Sequence, residues 1–183
     1  MPAPLDAPHE PSTTVIPPTG SAPAGPQPQP TGAIPPRLTD LVEEFQALGE
    51  RDRLQLLLDL SRDLPELPPR IAERKDLLEA VVECQSPVFV LAEVTPSGPE
   101  GLVQIFVDAP AESPTTRGFA GILLEAMNGL PAREALAVPD DVLTRLGLTA
   151  AVSPLRLVGM SAMLHRIRRQ IRVKAGLGGT AAR

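Results

Sequence analysis

Two stretches near the start of the patterned part of the chain carry apolar residues at helical spacing. The first begins near residue 38, can end at Gly49, and has the apolar positions Leu38, Leu41, Val42, Phe45 and Leu48. The second covers residues 50–63 and is followed by prolines at 65, 68 and 69, which cannot continue a helix. The pattern therefore predicts two short helices that form a hairpin.

The middle of the chain changes to the pattern of strands. Residues 88–94 and 102–107 are apolar and rich in β-branched side chains, and residues 95–101 between them are turn-forming. This arrangement predicts a β-hairpin, one face of which must pack on helices to be stable in water. Residues 70–82 show no clean period, and we expect them to be only partly helical.

Two serine–proline pairs predict the starts of the later helices. Ser113 precedes Pro114, and apolar residues then follow at helical spacing as far as Asn128. Short helical turns are expected near residues 131 and 139–147, and a long helix is expected after Ser153 and Pro154. The last turns of this helix are basic, either as a solvated face that complements the helix carboxyl end or as a contact for an acidic partner.

The length of 183 residues suits one domain with a tail. Twelve of the 23 prolines precede Arg37, and so few charged or apolar side chains accompany them that we expect residues 1–36 to be a disordered, proline-rich tail. We expect the folded domain to cover residues 37–175 and a flexible C terminus to cover residues 176–183.

Charge and composition argue against several classes of function. The chain has four Phe, no Trp, no Tyr and a formal charge of −5, which gives little support to nucleic-acid binding by base stacking or phosphate contacts. The first residues lack the basic and apolar segments of a secretory signal, and no apolar stretch is long enough to span a membrane. We therefore expect a cytoplasmic protein that binds neither nucleic acid nor membranes.

The reactive side chains are few. There are two histidines and one cysteine, too few to make a dedicated zinc site, so no metal is expected. His9 lies in the predicted tail, and His165 is the only histidine within the predicted domain. The glycines near residue 176 follow a helix instead of opening one after a strand, so they do not form a phosphate-binding loop.

Cys84 stands apart from these residues because it falls in a predicted loop directly before the first strand. Its neighbours are Glu83, Gln85 and Ser86, with Pro87 following, and polar neighbours are uncommon around a buried structural cysteine. Reactivity requires the thiolate, which nearby positive potential favours. The amides that start the helices after Ser113 and Ser153, and Arg117 and Arg156 close behind them, are the candidate sources. The two arginines are alternatively candidate contacts for a partner.

Several of these motifs together resemble the SufE family. Cys84-Gln85-Ser86 with Val88 resembles the family's cysteine motif, and four further segments follow in the same order, namely Thr116-Arg117-Gly118, Met127-Asn128-Gly129, Leu146-Gly147-Leu148 and Ser153-Pro154-Leu155-Arg156 with Gly159-Met160. The resemblance covers about residues 34–173.

The resemblance implies both a fold and a function. The fold would be α+β, with a small antiparallel β-sheet packed against helices, similar to SufE and the scaffold protein IscU. Cys84 would lie on an exposed loop, tucked at rest toward a hydrophobic pocket. It would receive persulfide sulfur from a SufS-type cysteine desulfurase, stimulate that enzyme, and pass the sulfur on to an acceptor such as the SufBCD complex. No cofactor is implied for this chain, since pyridoxal phosphate belongs to the desulfurase.

Two departures from the family pattern bear on the site. Glu83 replaces a usual glycine, and a carboxylate beside the thiol disfavours the thiolate unless it turns away. Leu155 replaces a common serine. Three other functions stay open at this point: a non-catalytic interaction module with a structural cysteine, a cysteine-nucleophile hydrolase that uses His165 as its base, and a thiol redox sensor, for which the usual resolving cysteine is absent.

Overall fold

A computed structural model describes residues 33–178 of the chain. Its elements, in chain order, are α1 (Pro36–Ala47), α2 (Glu50–Arg62), α3 (Pro69–Ala72), a 3-10 turn (Lys75–Leu77), β1 (Glu79–Ala80), β2 (Phe89–Thr95), β3 (Leu102–Asp108), α4 (Pro114–Met127), α5 (Ala132–Ala135), α6 (Val142–Arg145), α7 (Leu148–Ala151) and α8 (Pro154–Lys174). Residues 1–32 of the predicted tail and residues 179–183 of the predicted flexible C terminus lie outside the described part.

The sheet is antiparallel and has the strand order β1-β2-β3. The predicted hairpin is confirmed, with Phe89 opposite Asp108 and Thr95 opposite Leu102. The first strand, β1, was missed in residues 70–82 because it has only two residues, Glu79 and Ala80, which pair with β2 and are too few to show a period. The predicted α+β class is confirmed.

One face of the sheet carries the main core. In β2 every second residue faces it, and the same holds in β3, so that the inward side chains are Val90, Ala92, Val94, Val103, Ile105 and Val107. Helix α8 packs against β2, and α4 packs against β3 and also contacts α1 and α2. The face of α8 that meets this core has buried residues at helical spacing, namely Met160, Met163, Leu164, Ile167 and Ile171.

Helices α2 and α4 approach each other closely because α4 has a glycine at the contact. A Cβ atom on Gly118 would lie only 2.0 Å from the carbonyl oxygen of Leu57, so no larger residue fits unless the backbones separate. This contact holds the start of α4 in place, and the start of α4 forms one wall of the site described below.

The opposite face of the sheet has a smaller apolar cluster of Ile71, Leu91 and Phe106, which α3 helps to cover. Arg70 of α3 lies over the Phe106 ring, 5.0 Å from its centroid, and pairs with Glu93 of β2 at 2.8 and 2.9 Å. The segment before β1 is thus fixed by contacts with distant strands, which explains why its own sequence shows no clear period.

The basic end of α8 is neither purely solvated nor simply available to a partner. Arg166 and Arg169 pair with Glu79, Arg166 also pairs with Glu83, and Arg168 pairs with Asp140. These cations therefore connect α8 to β1, to the loop that follows β1 and to the segment before α6, an arrangement that neither interpretation of the sequence anticipated.

Candidate functional site

Cys84 lies in the loop that joins β1 to β2, here called the cysteine loop (residues 82–87). The amide of Val81 donates to the carbonyl of Val88 at 2.8 Å and closes the loop, and the amide of Cys84 donates to the carbonyl of Val81 at 3.0 Å. These two hydrogen bonds make a tight turn that presents the cysteine at one end of the sheet.

The sulfur of Cys84 is half-buried and rests against α8. A Cβ atom on Gly159 would lie 2.8 Å from the Cys84 Sγ and 3.3 Å from its Cα. Glycine inside a helix costs about 1 kcal/mol relative to alanine. The space left by the missing side chain of Gly159 explains why a glycine stands at this position. Gly159 provides the space in which the thiol is seated.

An open cavity of about 290 Å³ adjoins the thiol. Its lining comes from three segments: Cys84, Gln85 and Ser86 from the cysteine loop, Glu112 to Thr116 at the start of α4, and Leu155, Arg156 and Gly159 from α8. The structure thus brings Cys84, Gln85, Ser86 and Arg156 together. Most of these side chains are polar, so the hydrophobic pocket implied by the resemblance is instead a mainly polar cavity beside a sulfur that packs on the core.

The predicted cap of α4 has a different role. Ser113 occupies the N-cap position, but its side chain makes no capping hydrogen bond and donates instead to the hydroxyl of Ser86. This contact attaches the cysteine loop to α4. The start of α4 lines the cavity, which brings the positive end of that helix near it, and the first turns of α8 contribute Leu155 and Arg156.

The electrostatic surroundings favour a protonated thiol at rest. Burial raises the pKa of Cys84, the Glu83 carboxylate raises it further, and the Arg166 guanidinium opposes them only in part. Glu83 points toward α8, where Arg166 donates to it at 2.8 and 3.2 Å and lowers the pKa of its carboxyl. Although it pairs with Arg166, Glu83 therefore still disfavours the Cys84 thiolate, as the sequence indicated.

Arg117 is not brought to the cavity. Its guanidinium donates to the carbonyl of Ser61 at 3.1 Å and to the carbonyl of Ala109 at 2.8 Å. These bonds tie α4 to the end of α2 and to the turn after β3. Arg117 therefore does not line the cavity, whereas Arg156 is exposed and lines it. A partner contact at either arginine stays a prediction.

His165 is also away from the thiol. It is exposed on α8 and does not line the cavity. It lies six positions after Gly159, which places the two residues about 120° apart around the helix at about 100° per residue. Among residues 33–178, no imidazole therefore lies beside Cys84 to serve the hydrolase alternative.

Gly159, Ser113 and Arg166 are site residues that the sequence analysis did not assign. For Gly159 a signal existed, since a glycine inside a strong helical pattern has a packing or functional reason. Within residues 33–178, no group of three or more His, Cys, Asp or Glu side chains could hold a metal ion. The expectation that this chain carries no cofactor stays a prediction.

Comparison with known proteins agrees with the geometry. The family model "SufE: Fe-S metabolism associated domain" matches residues 39–171. The chain belongs to the SufE family. Its function therefore lies in iron–sulfur metabolism, and it is expected to associate with other proteins of sulfur metabolism.

Individual SufE relatives cover most of the chain. SufE-like proteins from two Mycobacterium tuberculosis strains are 48% identical over 140 residues, which is 76% of this chain and 94% of theirs. A solution structure of a hypothetical protein from Thermus thermophilus has a TM-score of 0.68 and 36% identity, and the match covers 80% of this chain and 100% of that one. This similarity supports the SufE fold derived above.

One relative and the helices of the structure bear on the cellular location of this protein. SufE-like protein 1 of Arabidopsis thaliana, described as chloroplastic/mitochondrial, is 28% identical over 87% of this chain and 42% of its own length. In residues 33–178, none of the helices has the length and apolar character needed to cross a membrane. The cytoplasmic location stays a prediction.

Proposed function

We propose that this protein accepts sulfur as a persulfide on Cys84 from a SufS-type cysteine desulfurase, stimulates that enzyme and passes the sulfur on for iron–sulfur cluster assembly. The observation that carries the proposal is the position of Cys84, on a hairpin loop at the edge of an open cavity between the starts of α4 and α8. A loop in this position can extend a thiol toward another protein without disturbing the sheet.

The chemistry requires only the cysteine of this chain. The Cys84 thiolate attacks the outer sulfur of the donor's cysteine persulfide, a new S–S bond forms to Cys84, and the donor's S–S bond breaks. The donor cysteine leaves as a thiolate, so charge and atoms balance without an oxidant. The persulfide on Cys84 then transfers its outer sulfur to an acceptor, for which the SufBCD complex is our candidate.

The surface around the cysteine loop suits a protein partner. Val82 is 76% exposed, and Leu155 and Val158 of α8 are each 53% exposed. Apolar side chains exposed close together, with an arginine such as Arg156 among them, are typical of protein interfaces. Pyridoxal phosphate would remain on the desulfurase, and Arg156 would stabilise the thiolate during the transfer.

The resting position of the thiol also fits a protein that reacts only with its partner. Burial keeps the thiol protonated by raising the pKa of Cys84, and a thiol is a poor nucleophile. When the cysteine loop leaves the space beside Gly159, the sulfur becomes hydrated and the pKa of Cys84 falls toward its ordinary value. Extension of the loop and activation of the nucleophile would therefore occur together.

Desulfurase turnover provides the test. A SufS-type enzyme is given cysteine and a reductant, and alanine formation is followed with and without this protein. We expect faster turnover with the wild-type chain and none of that stimulation with Cys84→Ser. His165→Ala serves as a matched control and should stimulate normally. Equal stimulation by Cys84→Ser and wild type would refute sulfur acceptance on Cys84, and loss of stimulation with His165→Ala would favour the hydrolase alternative.

A further inference from the structure

Arg166 connects the cysteine loop to a fixed point of the fold. Its Nε lies 3.3 Å from a carboxylate oxygen of Glu79 in β1, and its Nη1 lies 2.8 Å from a carboxylate oxygen of Glu83 in the loop. Glu79 also accepts from Arg169 and from Gln170. The Arg166 Nε makes no hydrogen bond, so Glu79 attracts Arg166 by charge alone, and it does so whether or not Glu83 is bound.

The strand beneath this cluster is anchored as well. The side-chain oxygen of Gln170 accepts from the amide of Ala92 at 2.8 Å, and Lys174 donates to the carbonyl of the same residue. Helix α8 is thus bound to β1 and β2 by polar contacts in addition to the core. Of the two carboxylates on Arg166, only Glu83 belongs to a segment that could move.

The loop meets α8 at two points on one side of the helix. Gly159 and Arg166 are seven residues apart, which is close to two turns and about 10 Å along the axis. The sulfur of Cys84 lies against the first point, and the carboxylate of Glu83 is bound at the second. If Glu83 separates from Arg166, a contact that keeps the loop on α8 is lost.

We propose that Glu83 and Arg166 are positioning residues for sulfur acceptance, because their ion pair holds the cysteine loop on α8 and sets how often Cys84 leaves Gly159. The inference rests on the proposed function and deepens it. A docking partner must separate Glu83 from Arg166 before the thiol can extend, so an undocked protein exposes its thiol rarely. The sequence departs from the usual SufE pattern at this glutamate, and the ion pair gives that departure a role.

How far solvent screens the Glu83–Arg166 ion pair determines how much its loss changes the population of extended loops. The Arg166 side chain is 18% exposed and that of Glu83 is 36% exposed, so the pair is partly screened by solvent. Exposed ion pairs contribute little, and we expect loss of this pair to raise the population of extended loops about two- to fivefold. Charged groups elsewhere around the thiol, Glu112 before α4 and Arg156 on α8, are unchanged by such a substitution.

Glu83→Gln is the variant that carries the test, because it is nearly isosteric and leaves the Glu79–Arg166 pair intact. In the wild type and this variant, the rate of Cys84 alkylation by iodoacetamide is measured at neutral pH. We expect the variant to react about two- to fivefold faster. Glu93→Gln is the matched control, since it breaks the Arg70–Glu93 pair on the opposite face of the sheet, and its rate should equal that of the wild type.

A second measurement separates loop motion from the direct effect of Glu83 on thiol ionisation. Hydrogen exchange of a peptide that spans residues 82–87 is followed in a Cys84→Ser background, where no thiol titrates. We expect Glu83→Gln to speed this exchange about two- to fivefold, and Arg166→Lys, which cannot bridge two carboxylates in the same way, to speed it also. Unchanged exchange in Glu83→Gln would overturn the inference, as would an equal increase in Glu93→Gln.

These measurements need no desulfurase, so the two proposals can fail separately. Faster exchange and alkylation in Glu83→Gln, without any transfer of sulfur to Cys84 from a desulfurase, would support the positioning role and refute the proposed function. If sulfur is transferred to Cys84 but hydrogen exchange of the loop does not change in Glu83→Gln, the proposed function is supported and the positioning role is refuted.

Discussion

Replacing Gly159 with alanine is expected to drive the cysteine loop away from α8. The added Cβ would lie 2.8 Å from the sulfur of Cys84 and 3.3 Å from its Cα, whereas comfortable heavy-atom contacts lie at about 3.5 to 4 Å. Helix α8 is long and packed on the sheet, so the shorter loop is the part that yields. The thiol should therefore lose its seat while the helix remains.

The size of this effect follows from the cost of overpacking. Forcing an extra methyl group into a packed contact costs about 1 to 3 kcal/mol, and every 1.4 kcal/mol is about tenfold in an equilibrium. We expect the extended population, and with it the alkylation rate of Cys84, to rise at least about fivefold in Gly159→Ala. Alanine also favours the helix by about 1 kcal/mol, so the melting temperature should change by only a few degrees.

The assay compares the alkylation rate and the thermal unfolding of Gly159→Ala with those of the wild type and of Gly121→Ala. Gly121 is a helical glycine in α4 that packs on Leu60 of α2, away from the cavity, so its variant should leave the rate unchanged. An unchanged rate in Gly159→Ala with α8 intact would refute the view that the contact with Gly159 shields the thiol. A large drop in melting temperature would show that the helix, and not the loop, had yielded.

Four further outcomes are expected. Gly118→Ala should lower the free energy of unfolding by about 2 to 3 kcal/mol in denaturant titration, since its Cβ would overlap the Leu57 carbonyl; a neutral result would contradict the close α2–α4 contact. Arg117→Gln should cost about 1 to 3 kcal/mol through two unpaired carbonyls with normal alkylation of Cys84, and altered alkylation would restore its expected role at the thiol. Arg156→Gln should keep the melting temperature but reduce desulfurase stimulation several-fold, most strongly at low salt; full stimulation would remove Arg156 from the mechanism. Burial raises the pKa of Cys84, so the seated loop is stable at neutral pH and is lost as the pH rises through that raised pKa. The pH at which the alkylation rate of Cys84 is half-maximal should therefore lie above the corresponding pH for the unfolded chain. A lower value in the folded protein would contradict this pKa shift.

The regular elements of this fold were readable from the sequence because each depends on a local pattern. Residues 88–94 and 102–107 indicated β2 and β3 through their β-branched character, and Ser153 with Pro154 marked the start of α8 within one residue. The short β1 was not readable, since its two residues are a strand only by pairing with β2.

Only the site residues that have a local sequence signal could be located from the sequence. Cys84 could be placed in a loop from its neighbours, and Arg156 could be proposed because it follows a helix start. The destination of Arg117, the space at Gly159 and the pairing of Glu83 with Arg166 depend on contacts between residues far apart in the chain. Such contacts have no local signature, so only the folded structure could reveal them.

The intact mass of the protein after incubation with a desulfurase and cysteine, without reductant, tests the central claim most directly. Sulfur acceptance predicts a gain of about 32 Da for one added sulfur atom, removable by dithiothreitol, located on the peptide that contains Cys84 and absent from Cys84→Ser. An unmodified wild-type mass under conditions in which the desulfurase turns over would contradict the claim, as would the same gain in Cys84→Ser.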